Sequence, residues 1–118
     1  MFYKIEGKSI FGTCQTTPDG RAFDNEFRSE KPNDYILDAD EQRKGEGAFA
    51  LALMEHYGEK PKCEIITDFG KIEIYQSPVH NGLIVSRCTY QGGLYAVSPI
   101  FTNTVSPLAI VNYFMSIM

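Results

Sequence analysis

The sequence predicts an α+β fold, and three observations carry that reading. Short segments of alternating polarity separated by Gly-centred turns read as strands, a strongly apolar stretch near the middle reads as a helix, and a second apolar run closes the chain. Its 118 residues, 43% apolar and 22% charged, fit one domain over 1–118 with enough apolar surface to offset chain ordering. The expected architecture is a set of N-terminal strands, a buried central helix, a four-stranded antiparallel meander curled around it and a short C-terminal helix.

In chain order, strands are expected at Phe2 to Glu6, Ser9 to Thr16 and Arg21 to Arg28. Gly7-Lys8 and Pro18-Asp19-Gly20 supply the turns between them, because Pro presets φ and Gly accepts positive φ. Residues 29–34 read as loop. A helix then ends at Tyr57, with Gly58 placed for a left-handed cap. Its start lies either at Ala39, through an Asp38/Glu41 capping box, or near Gly45, since Gly45 and Gly47 would each cost about 1 kcal/mol inside a longer helix. The body Ala48-Phe49-Ala50-Leu51-Ala52-Leu53-Met54 is apolar on every side, which predicts that other structure wraps it.

The meander is expected at Lys62 to Thr67, Lys71 to Gln76, Leu83 to Tyr90 and Leu94 to Ile100. Its turns are Asp68-Phe69-Gly70, His80-Asn81-Gly82 and Gln91-Gly92-Gly93, and Asn-Gly is a strong hairpin signal. A last helix starts at Ser106 with Pro107 in the favoured first position. No charged side chain follows Arg87 for 31 residues. The surplus of apolar faces in this third of the chain predicts a homodimer sealed by Leu108, Val111, Phe114 and Met115 together with strands 83–100.

The net charge of -4 is localised, because residues 24–46 hold eight acids against four bases and the remainder holds seven of each. That segment repels phosphates and attracts bases, so nucleic acid is disfavoured and a basic protein partner is expected to meet Asp34, Asp38, Asp40 and Glu41. Charges spaced through residues 1–8 interrupt the apolar run of a secretory signal, so a cytoplasmic location is expected. The last apolar block, 108–118, would reach only about 17 Å as a helix, too short to span a bilayer.

Candidate chemistry is sparse. Cys14, Cys63 and Cys88 are widely spaced and form no Cys-x-x-Cys pair, and the chain has two histidines, so neither a metal site nor a cofactor is expected. Gly45-Glu46-Gly47-Ala48-Phe49-Ala50 has the spacing of a dinucleotide-binding turn, but charged residues rather than a strand precede it, and it reads instead as small residues for close helix packing. Asp68-Phe69-Gly70 is read as a turn. The acid and base candidates are Glu55 and His56 near the end of the helix and His80 in a turn, the last also as a partner for a Cys88 nucleophile.

An apolar, Gly-led helix followed by an antiparallel meander over Gly45 to Ile100, with the hairpin Ser77-Pro78-Val79-His80-Asn81-Gly82, resembles the hot-dog fold of acyl-thioester hydrolases and dehydratases. That resemblance implies a small enzyme acting on an acyl thioester or similar ligand, with Glu55 or His56 in the place of the family's catalytic side chain. The residues read on their own favour a non-enzymatic protein-binding or regulatory module, dimeric and engaging a basic partner through 24–46.

Overall fold

The computed structural model describes residues 3–7, 10, 32–37 and 46–118, with the backbone alone for Asn81. Among them, five strands form one antiparallel sheet in chain order: β1 Tyr3–Glu6, β2 Cys63–Thr67, β3 Gly70–Gln76, β4 Ile84–Tyr90 and β5 Tyr95–Val97. The helices are α1 Glu46–His56 and α2 Pro107–Ser116, and Pro32–Tyr35 forms one 3-10 turn. The fold is α+β. The expected strands at 9–16 and 21–28, the helix start at Ala39 and the residues Cys14, Asp38, Asp40 and Glu41 all lie outside the described residues. No helix among the described residues is long and apolar enough to cross a membrane.

Local chemistry explains the element ends. Ser106 caps α2 by accepting a hydrogen bond from the Ala109 amide at 3.1 Å, and Pro107 follows where its missing N–H costs nothing. Gly58, at φ 78, closes α1, with the Gly58 amide donating to the Glu55 carbonyl and the Glu59 amide to the Met54 carbonyl, so two of the last carbonyls of the helix are satisfied. The β2–β3 turn is held by Thr67, whose Oγ1 accepts from the Phe69 and Gly70 amides.

Two expectations about the sheet need correcting. The sheet has five strands rather than four, because β1 pairs antiparallel with β2 from Tyr3↔Thr67 to Glu6↔Glu64. The last strand stops at Val97 rather than Ile100. Ser98 still donates to the Ser86 carbonyl at 2.8 Å, but Phe101 pairs with Ile84, so residues 99 and 100 together face Val85. Pro99, which has no N–H, sits in the resulting bulge.

Alternation sorts the side chains into two faces. Ile65, Ile72, Ile74, Ile84 and Cys88 point to one of them, where they form the main core with Leu108, Ile110, Val111 and Phe114 of α2. The other face is charged over β2–β4, where Lys71 pairs with Glu64 at 3.1 Å and Arg87 with Glu73 at 3.4 Å. Tyr75, Val85 and Val97 form an apolar landing strip there, and α1 settles on it through Leu51 and Met54.

The helix expected to be buried and central is therefore the exposed one. In α1 only Gly47 and Leu51 are buried, while Phe49 is 68% and Leu53 45% exposed. A helix wrapped by a sheet needs an apolar sheet face all along its length, and the face that α1 meets is largely ionic. The face that carries Ile65, Ile72, Ile74, Ile84 and Cys88 receives α2 instead. Leu108, Val111 and Phe114, expected at a dimer interface, are 3%, 0% and 0% exposed in the core of their own chain, and only Met115 of that set remains at the surface.

Candidate functional site: an apolar cleft beside the first helix

Because α1 is apolar all round and the sheet takes only one side of it, its next stripe is left to line a cleft of about 550 Å³. One wall is Phe49, Leu53 and Tyr57, spaced i, i+4, i+8 on a single helix face, with Ala50 and Met54 below them. Ile84, Val85 and Ile100 close the bottom. The opposite wall is the loop between β3 and β4, through Pro78, Val79, His80 and Leu83.

That loop is wider than the Asn-Gly signal implies. The β3–β4 register runs through Gln76↔Ile84, and the Ser77 amide donates to the Leu83 carbonyl at 2.9 Å, leaving Pro78–Gly82 as the connection. A two-residue turn would need Asn81-Gly82 centred between paired strands, and the register places them at the far end of the loop instead. His80 and Gly82 take left-handed backbone at φ 57 and φ 69, and Gln76 Nε2 braces the loop by donating to the Gly82 carbonyl at 3.0 Å. The rim is strongly exposed, Tyr57 at 75% and Val79 at 60%. Its acidic side chains are Glu46, at the start of α1, and Glu59, just past its end.

The structure does not gather the candidate acid and base groups. Glu55 Oε1 accepts from Arg87 Nη1 at 3.0 Å, and Arg87 Nη2 reaches Glu73 at 3.4 Å, so the guanidinium ties α1 to the charged face of the sheet. Burial opposes the charge of Arg87, but Glu73, Tyr75 and Glu55 outweigh it and hold its pKa above the ordinary value. His56 is exposed at the helix end and packs edge-on against the Tyr57 ring at 5.2 Å. His80 lines the cleft, whereas Glu55 and His56 do not. Asp34 is exposed in the 3-10 turn. Among the described residues, no group of three His, Cys, Asp or Glu side chains is placed to hold a metal ion.

Cys88 is no partner for His80, because it points into the main core at 0% exposure. Burial pushes its thiol up to about 11, and burial followed by its neighbours Cys88 and Tyr113 pushes the Tyr90 phenol up to about 12. An unfolded thiol ionises near its ordinary value of 9.0. The unfolded state therefore binds fewer protons above that pH, and stability falls as pH rises through the folded value. We expect full stability below about pH 9 and a loss on the order of 2 kcal/mol by about pH 11, to which Tyr90 adds at the upper end. Urea unfolding at stepped alkaline pH measures this, and a flat profile would contradict a proton held by a buried Cys88.

No protein family, curated protein or solved structure matches this chain. The candidate site therefore stands on its own geometry. Sequence reasoning missed Phe49, Leu53, Tyr57 and Val79 as a surface, although one signal pointed to it. Lys71, Glu73 and Arg87 alternate with Ile72, Ile74 and Cys88, so these strands turn most of their apolar side chains to one side, and an all-round apolar helix on the other side would lack cover.

Proposed function

We propose that this chain is a small non-enzymatic protein-binding module that takes an apolar segment of a partner polypeptide into the cleft beside α1. The observation that carries the reading is the outward apolar row Phe49, Leu53 and Tyr57, at 68%, 45% and 75% exposure, facing Val79 across one cleft. Large apolar and aromatic groups in a depression with a polar rim are what a protein partner desolvates best. A small-molecule pocket of comparable volume buries most of its ligand and hence its own lining. Here Phe49, Leu53, Tyr57 and Val79 stand open.

The acidic excess of residues 24–46 ends at Glu46 on the cleft itself. In this reading Asp34, Asp38, Asp40 and Glu41 draw a basic partner to the protein and raise its rate of association more than its final affinity.

Selection of a displayed random peptide library on the folded protein tests the proposal. Enriched peptides are expected to carry two or three large apolar anchors and a net positive charge, and Leu53→Asp should weaken them by at least about tenfold with little change in fold, because Leu53 faces the cleft and not the core. Absence of enrichment, or enriched peptides that bind Leu53→Asp equally well, would overturn it. Hydrolysis of a generic acyl thioester that disappears in Glu55→Ala would instead favour the enzyme reading.

A further inference from the structure

We infer that the occupant of the cleft is an amphipathic helix carrying a basic residue at each end of its apolar stripe. This inference rests on the docking reading above and adds the conformation and charge pattern of the partner.

The conformation follows from what the cleft lacks. Its walls present side chains, Phe49, Leu53 and Tyr57 on one side and Pro78 and Val79 on the other. The strand at its base is already paired on both sides, β4 with β3 and, through Ser98 and Phe101, with the final strand segment. No open strand edge among the described lining residues can accept an extended chain. A segment entering such a groove must satisfy its own amides and carbonyls, and a helix does so internally. The i, i+4, i+8 row on α1 is also the pattern that a second helix packs against, ridge into groove.

The charge pattern follows from the two carboxylates. Glu46 opens α1 and Glu59 lies just past its end, both lining the cleft, with the uncharged row between them. Ten helical rises separate the ends of α1, about 15 Å, so the carboxylates bracket a stripe on the order of 15–20 Å long. Glu46 has no ion pair among the described residues. Glu59 makes only a long contact of 3.8 Å to Lys62, of the exposed kind that contributes little and exchanges readily. Basic side chains about 11 residues apart on a partner helix span the same distance.

The test uses labelled model peptides of about 14 residues, built on one Leu/Ala amphipathic helix with lysine at both ends or glutamate at both ends, plus a lysine-ended version interrupted by proline. Fluorescence anisotropy against the intact protein should show the lysine-ended helix binding about tenfold tighter than the glutamate-ended one, with high salt shrinking the difference. Glu46→Lys with Glu59→Lys should invert the preference, and Glu46→Gln with Glu59→Gln, which spares the first turn of α1 a positive charge, should abolish it. Proline should remove most of the binding. Equal binding of the two helices, a preference unchanged in both double variants, or unimpaired binding of the proline peptide would overturn the inference. If the helices bind equally and both are lost in Leu53→Asp, the docking reading stands and the bracket is wrong. If library-selected peptides bind and neither helix does, only the inference fails. Failure of all of them with the fold intact sinks both.

Discussion

Replacing Gly47 by alanine is expected to unseat α1. In an ordinary helix interior this substitution stabilises by about 1 kcal/mol, because alanine loses less backbone freedom. Here an added Cβ would stand 1.8 Å from the Ser98 carbonyl oxygen and 2.9 Å from its carbon. Those atoms cannot give easily, because Ser98 donates to the Ser86 carbonyl at 2.8 Å and its Oγ accepts the Ser86 amide at 2.9 Å, pinning the segment to β4. The helix must move instead, loosening the contacts of Leu51 with Tyr75 and Val85 and spreading the cleft. A loss of about 3 kcal/mol is expected, which is a fall in Tm on the order of 10 °C for a domain of this size. Thermal melting followed by far-UV circular dichroism measures it, and the sign decides. A rise in Tm would mean that α1 does not touch Ser98.

Truncating Phe114 is expected to cost still more, while the same change at Leu53 costs almost nothing. Phe114 is fully buried in α2, packs edge-on against Tyr113 at 5.2 Å, and offers its carbonyl to the Tyr90 hydroxyl at 2.9 Å. Phe114→Ala removes a large core side chain and leaves a cavity, for about 3–5 kcal/mol. Leu53, 45% exposed on the cleft wall, should change stability by less than about 1 kcal/mol on truncation. Urea unfolding of the two variants compares the helices directly. Similar costs, or a larger cost at Leu53, would mean that α1 carries the core after all.

Local features were legible because they are decided within a few residues. The alternation of Lys71 to Gln76 lies within β3, and the Ser106-Pro107 start of α2 and the Gly58 end of α1 are hydrogen-bond arrangements among near neighbours. The close packing expected of the small residues at the head of α1 has its counterpart in the approach of Gly47 to Ser98. The Asn81-Gly82 signal misled because a turn motif sets curvature without setting register, and Gln76↔Ile84 pairing placed it inside a wider loop. Glu55 was singled out as an acid near a helix end, yet the group that claims it, Arg87, is 32 residues away in the chain.

By itself the sequence determined the class of the fold, the neighbourhoods of most described strands and helices, the caps that end the helices, and the confinement of the charge excess to 24–46. Each of these depends on side-chain type and spacing over a short stretch. Only the tertiary structure decided which apolar helix is buried, that β1 extends the sheet beside β2, and that Phe49, Leu53 and Tyr57 face a cleft. The reason is that both helices carry more apolar surface than one contact can cover. Which of them gains the full apolar face depends on the other layers of the fold, and the pleat gives that face to α2, leaving α1 the ionic side with Tyr75, Val85 and Val97.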